Sequence, residues 1–159
     1  YSDSAAESHL VSVLIKRRDA IGRAYLPAIT PIVDPRIEGG TLAFGNAAVS
    51  AGFAEAPTRY TAVWSRFDNA TGAAQRITET ESATTSMAVP GNLPATAGSF
   101  IEVDIAAESA AHANWREPVR VHFRRTANGW TLVGLDRLPN QVAADSGVPK
   151  GDITPKGVR

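Results

Sequence analysis

Hydrophobic and polar residues alternate most cleanly in the second half of the chain. From Phe100 to Ala106, Ile101, Val103 and Ile105 point one way and Glu102 and Asp104 the other, which predicts a half-buried strand. Pro118 to Leu138 then reads as one β-hairpin. The runs Val119–Arg125 and Trp130–Leu135 flank Thr126-Ala127-Asn128-Gly129, and Asn-Gly between alternating runs is a strong hairpin signal. Two registers compete. A two-residue Asn128-Gly129 turn sets Phe123 opposite Gly134 and Val121 opposite Asp136, scattering the apolar residues. A three-residue loop, Ala127-Asn128-Gly129, sets Phe123 opposite Val133 and Val121 opposite Leu135, so that one face becomes apolar. The second register is the one expected, with Gly129 in the left-handed position of a bulge turn.

The N-terminal pattern is helical. Ser4-Ala5-Ala6-Glu7 has the spacing of a capping box, and Leu10, Val13, Leu14, Ile21, Ala24, Tyr25 and Ala28 follow at helical intervals. Lys16-Arg17-Arg18-Asp19 interrupts the stripe as a solvated patch, and Pro27 and Pro31 end it. A helix over 5–26 is expected, with Leu14 and Ile21 buried against the sheet. Residues 31–40 read as a connector. Short strands are expected at 41–44, 59–67, 75–80 and 83–89, separated by turns such as Asp68-Asn69-Ala70-Thr71-Gly72. Residues 46–53 allow either a helical turn or a weak strand, and 108–116 reads as a small-residue loop holding His112 and Trp115. The chain divides into one α+β domain, 1–138, and an extended or disordered tail, 139–159, rich in proline and glycine.

One helix followed by six or seven turn-bounded strands predicts a mainly β, α+β domain. Its expected architecture is an antiparallel β-sandwich or a strongly curved antiparallel sheet with one N-terminal helix. The alternative is a cone-shaped α+β fold with the helix packed on a curved sheet. The stretch from Thr85-Ser86-Met87-Ala88-Val89-Pro90 to Phe100–Ala107 resembles the strand–loop–strand of fibronectin type III and other immunoglobulin-like modules, over a minor part of the chain and with no diagnostic motif. The leading helix and long final hairpin are similar to those of the nuclear-transport-factor-like superfamily, which implies the cone.

Composition narrows the function classes. The 159 residues are 43% hydrophobic and 20% charged, ordinary for a soluble globular domain. Sixteen basic residues balance sixteen acidic ones, so nothing favours nucleic acid, and no apolar run approaches the ~20 residues that span a bilayer. There are no cysteines, hence no disulfides, thiolate metal sites or cysteine nucleophiles. The chain starts at Tyr1, which suggests a removed signal segment or a cut from a larger protein. Abundant alanine and arginine in preference to lysine suggest a bacterial source. A secreted or periplasmic location is expected, with a cytoplasmic one still open. Asn69-Ala70-Thr71 matches a glycosylation acceptor, relevant only in a eukaryotic secretory pathway.

Candidate chemistry gathers on the hairpin. The expected register places Arg120, His122, Arg124, Leu132, Gly134 and Asp136 on one face, with Arg120 opposite Asp136 and His122 diagonal to it. This is a solvated face with a cross-strand ion pair, or, in the sharper reading, an anion or acid–base site with His122 oriented by Asp136. Glu102 and Asp104 extend the ladder if their strand is the neighbour. His9, His112 and His122 show no metal-ligand spacing, and neither a nucleophile elbow, a Walker loop nor a dinucleotide fingerprint occurs. The pairs Glu79/Glu81 and Glu102/Asp104 share a strand face, as glycosidase carboxylates would, but so do most solvated carboxylates. Tyr60 with Trp64, or Trp130, could stack on sugar rings, though core packing is the commoner role. Trp115, set in a loop, is the candidate exposed contact residue. The expected ligand-binding residues are therefore Trp115, His122, Arg120, Arg124, Asp136 and Trp130, with no catalytic group, metal or cofactor. The expected function is a non-enzymatic binding or accessory β module for a protein or carbohydrate ligand. The alternative is a small-molecule-binding or hydrolytic domain with a pocket between the helix and the sheet.

Overall fold

A computed structural model describes residues 3–137, so the expected tail 139–159 lies outside the described residues. Helix α1 (Ser4–Tyr25) begins at Asp3, whose carboxylate accepts the N–H groups of Ala5 (3.0 Å) and Ala6 (3.4 Å). Asp3, one residue before the expected Ser4, is thus the cap. A 3₁₀ turn, Leu26–Ala28, closes the helix against Pro27. Eight strands follow: β1 (Ile32–Glu38), β2 (Thr41–Asn46), β3 (Arg59–Asp68), β4 (Ala73–Ser82), β5 (Ser86–Ala88), β6 (Phe100–Glu108), β7 (Val119–Thr126) and β8 (Gly129–Asp136). All pair antiparallel, in one sheet of order β1-β2-β5 and another of order β4-β3-β6-β7-β8. The chain is therefore mostly antiparallel β with one N-terminal helix, as the alternation predicts.

The two sheets enclose one hydrophobic cluster. Ile32, Ile37, Leu42 and Phe44 come from the smaller sheet, with Met87 of β5. Tyr60, Ala62 and Trp64 of β3, Ile101, Val103 and Ile105 of β6, and Val119, Val121 and Phe123 of β7 come from the larger one. These last nine occupy every second position because side chains alternate across a strand. Polar atoms inside are partnered: Trp64 Nε1 donates to Thr80 Oγ1 at 2.8 Å, and Asn46 Nδ2 to the Tyr60 hydroxyl at 3.1 Å. Asn46 also caps the one-turn helix α2 (Ala47–Ser50), which settles the ambiguous segment 46–53. Residues 32–38, expected as a connector, form a strand. Pro35 is accommodated because the β1–β2 register shifts between Val33 and Arg36, and Asp34 sits there at φ 50°.

Three expectations about the core are corrected. Helix α1 has no buried residue, and Leu14 and Ile21 are 55% and 51% exposed. Its last turns touch the body at Phe53, against which Gly22 packs and over which the Arg23 guanidinium lies at 5.2 Å. A periodic stripe specifies a helix but not what covers it. Second, the hairpin tip is Ala127-Asn128, with Thr126 paired to Gly129. Val121 does face Leu135 and Arg120 faces Asp136, but Phe123 faces Leu132, not Val133. The slip is absorbed by a bulge inside β8, which leaves Val133 and Leu135 at 51% and 38% exposure on an edge strand. It also moves Leu132 off the polar face. Gly129 has a positive φ of 147°, as its place after the tip requires. Third, residues 113–116 form a 3₁₀ turn that buries Trp115 completely.

Strand directions place the connections at two poles. The turn at Gly39-Gly40, the β3–β4 turn, the loop 89–99 and the β7–β8 tip gather at one pole, tied by Val89 N–H to Gly40 O (2.9 Å) and by reciprocal bonds linking Gly98 and Ser99 to Arg125. Helix α1, the β6–β7 link and the end of β8 lie at the other. There Trp115 Nε1 and Asn114 Nδ2 both donate to the Pro27 carbonyl at 3.0 Å, and Arg137 Nη1 donates to Ile32 O at 2.7 Å.

Phe123→Ala is expected to cost ~3–5 kcal/mol by removing the centre of the cluster, whereas Leu14→Ala, at an exposed site, should stay within ~0.5 kcal/mol; urea unfolding of both variants measures the contrast. Burial pushes the Tyr60 phenol above its ordinary value of 10.0, against the smaller opposing effect of the Asn46 amide. The unfolded chain therefore ionises first. The contribution of Tyr60 is intact below pH ~10 and lost as pH rises through the higher folded value. Thermal melts from neutral to strongly alkaline pH should fall less steeply above pH ~10 in Tyr60→Phe than in the parent.

Candidate functional site

The outer face of the larger sheet carries its charges in rows. Pairing places Asp104 of β6 beside Arg120 of β7 and Asp136 of β8, and Glu102 beside His122 and Gly134. Arg120 forms a fork on Asp104, Nε to Oδ1 and Nη2 to Oδ2, both 2.9 Å, and its Nε lies 3.4 Å from Glu102 Oε2. The Asp104 bond, with the further charges of Glu102 and Asp136, holds the Arg120 guanidinium above its usual pKa against partial burial. His122 Nε2 lies 3.2 Å from Glu102 Oε2, and the His122 ring stands edge-on to Phe67 at 4.5 Å. Its other side leans over Gly134, where an added Cβ would meet the imidazole at 3.5 Å. Glu102 is only 7% exposed. A buried carboxylate needs compensation, and Arg120 and His122 supply it.

The expected residues thus separate into three places. Arg120, His122 and Asp136 share the ladder, but the orienting partner of His122 is Glu102, not Asp136. Arg124 stands exposed on the same face, opposite Phe100 and Thr131. Trp115, expected at the surface, is inside; it holds the Pro27 carbonyl and stacks on His112 at 4.6 Å. Its burial follows from a hydrogen bond to a residue 88 positions earlier, which no local pattern reveals. Trp130 lies at the opposite pole.

There the connections form a cleft of about 870 Å³ between the Gly39-Gly40 turn, the loop at Pro90–Ala95 and the β7–β8 tip. Trp130 and Arg125 form one wall, the guanidinium 5.3 Å over the indole. Asn128, Thr131 and Glu38 add polar groups, and Leu93 and Pro90 an apolar side. Trp130 is half-buried and packs its inner edge on the core. A second cleft, about 700 Å³, lies across the loop, with Phe67, Phe100, Ser99 and Arg66 in its walls. Asp68 borders it, its carboxyl held below the usual range by the Ala70 N–H and the Thr71 hydroxyl. Pro94 and Ala95 line both clefts, so loop 89–99 is a ridge between them.

No family model, curated protein or solved structure matches this chain.

The functional reading therefore rests on geometry. The ladder lies on a sheet face, and its His122, Glu102, Asp104 and Arg120 side chains line neither cleft. Among the described residues no cluster of three His, Asp or Glu side chains is arranged to hold a metal ion, and no helix is long and apolar enough to cross a membrane. The walls of the first cleft offer an indole, a guanidinium, an amide, a hydroxyl and the Glu38 carboxylate. Of these, the sequence alone marks only Trp130. Arg125, Asn128 and the loop residues come together through three separate connections, although Asn128 beside Gly129 and the Pro90-Gly91-Asn92-Leu93-Pro94 punctuation marked each as a turn.

If the ladder is a structural network, Arg120 and Asp104 should be strongly coupled. Arg120→Ala is expected to cost ~1–3 kcal/mol, since it strands two carboxylates. The Arg120→Ala/Asp104→Ala double-mutant cycle should return a coupling of ~0.5–3 kcal/mol in urea unfolding. Additive losses would show the fork to be idle.

Proposed function

We propose that this chain is a non-enzymatic binding module of a bacterial secreted or periplasmic protein, and that it takes its ligand in the cleft walled by Trp130 and Arg125. The observation that carries this reading is the cleft itself: a concavity of about 870 Å³ with a half-buried indole in its wall and polar groups converging from three connections. A polar lining with one aromatic platform suits an extended ligand rich in hydroxyl groups, a carbohydrate ahead of a peptide. The abundance of alanine, and of arginine in preference to lysine, supports the bacterial assignment. The absence of an enzyme's acid–base chemistry from this proposal is supported by the placement of His122, whose Nε2 faces a carboxylate of the same sheet and not a cleft. The alternative pocket between helix and sheet finds no support in a helix that buries nothing.

The three tryptophans make the test direct. Trp64 and Trp115 are fully buried, so Trp130 is the one a quencher reaches. Acrylamide should quench one component of the emission, and Trp130→Phe should remove that component while leaving the melting temperature nearly unchanged. Titration with oligosaccharides and with extended peptides, followed by the same emission, should protect Trp130 in one series. Trp130→Ala and Arg125→Ala should each weaken binding about tenfold or more. Ligand binding that survives both substitutions would place the site elsewhere.

A further inference from the structure

The second cleft repeats the chemistry of the first. In the Trp130 cleft, Trp130, Arg125, Glu38 and Asn128 supply an aromatic ring, a guanidinium, a carboxylate and an amide. In the cleft of about 700 Å³ across the loop, Phe67, Arg66, Asp68 and Asn69 supply the same four groups, with Phe100 as a second ring. A hairpin turn gathers most of each set, β7–β8 in the first cleft and β3–β4 in the second. Each cleft thus carries one basic and one acidic side chain, and its formal charge is zero. Among the described residues these four charged groups form no ion pair with one another or with other side chains. They stand open to a ligand. The Asp68 carboxylate is held in place by the N–H groups of Ala70 (2.9 Å) and Thr71 (3.4 Å).

These groups select a neutral ligand with many hydroxyls. A carboxylate accepts hydrogen bonds, a guanidinium donates them, and an amide does both, so together they match hydroxyl groups that need both kinds of partner. The rings offer apolar surface to the C–H groups of a sugar. A balanced pair of charges gives an anion or a cation no advantage. The repetition separates a saccharide from a peptide. A polysaccharide presents the same hydroxyls unit after unit, whereas successive side chains of a peptide differ. The two clefts are also fixed relative to each other. Pro94 and Ala95 line both, and loop 89–99 is tied at its start by Val89 N–H to Gly40 O and at its end by the bonds joining Gly98 and Ser99 to Arg125. Neither Pro94 nor Ala95 has a long or charged side chain to bar a ligand from crossing. Resting on the reading of the Trp130 cleft as the ligand site, we propose that the two clefts are subsites for one neutral polysaccharide. It crosses the ridge at Pro94-Ala95, held by Trp130 and Arg125 on one side and by Phe67, Arg66 and Asp68 on the other. A chain long enough to reach both subsites gains affinity over a short one, because the second contact forms within the complex.

Calorimetric titration of the full chain with neutral gluco-, xylo- and manno-oligosaccharides, each from disaccharide to decasaccharide, tests this. In one series the affinity should rise steeply at a particular length and level off beyond it. Arg66→Ala/Asp68→Asn should weaken the long chains about tenfold or more and leave the disaccharide unaffected, whereas Trp130→Ala should weaken both. Both altered side chains of the double variant are exposed, and its melting temperature should stay close to that of the parent. An affinity independent of length, or long chains indifferent to Arg66→Ala/Asp68→Asn, would overturn the second subsite and leave the Trp130 cleft standing. Preference for extended peptides or for polyanionic saccharides would overturn the choice of ligand. Failure of every chain to bind would overturn both the second subsite and the Trp130 cleft as a saccharide site.

Discussion

Strand β6 lies at the centre of the larger sheet, with β3 on one side and β7 on the other, and much of the structure follows from that constraint. On the inner face Ile101, Val103 and Ile105 meet the smaller sheet. On the outer face Glu102 and Asp104 are drawn out of water by their neighbours β3 and β7. A carboxylate at 7% exposure is tolerated only with a partner, and the register of β7 delivers two, Arg120 and His122. The ladder therefore specifies alignment. A one-residue slip of β7 would place Val121 against Glu102 and put the basic side chains inside.

The same alternation divides the molecule into two poles. At the helix pole, long-range bonds onto the Pro27 carbonyl and Ile32 carbonyl join the chain's early residues to its late strands. At the loop pole, connections of different length stand around open space. Antiparallel strands return every second connection to the same end, so the clefts and the exposed helix are kept a sheet's length apart.

Strand β8 shows how a local device changes a global surface. The bulge at Val133 keeps Val121 against Leu135 and Arg120 against Asp136, while the hairpin tip tightens to Ala127-Asn128. Both ends of the hairpin obtain favourable pairing, at the expense of one residue extruded in the middle. β8 ends the strand order of its sheet, and among the described residues Leu132, Val133 and Leu135 remain partly in solvent.

Much of this protein is legible in its sequence because strand alternation is a local property. The faces of β6 and β7, the hairpin around Asn128-Gly129 and the helix Ser4–Tyr25 follow from residues within a few positions of one another, and the Arg120–Asp136 opposition follows from the hairpin that joins them. What sequence could not decide are the pairings whose partners lie far apart in the chain. Pro27 with Trp115, Glu102 with His122, and Trp130 with the loop at Pro90–Ala95 exist only once the sheets are assembled. The helix shows the same limit from the other side. Its stripe of Leu10, Leu14 and Ile21 states that an apolar face exists, but only the tertiary structure shows that the chain's own sheets do not cover it, because the inner faces of β3, β6 and β7 are already filled by the smaller sheet.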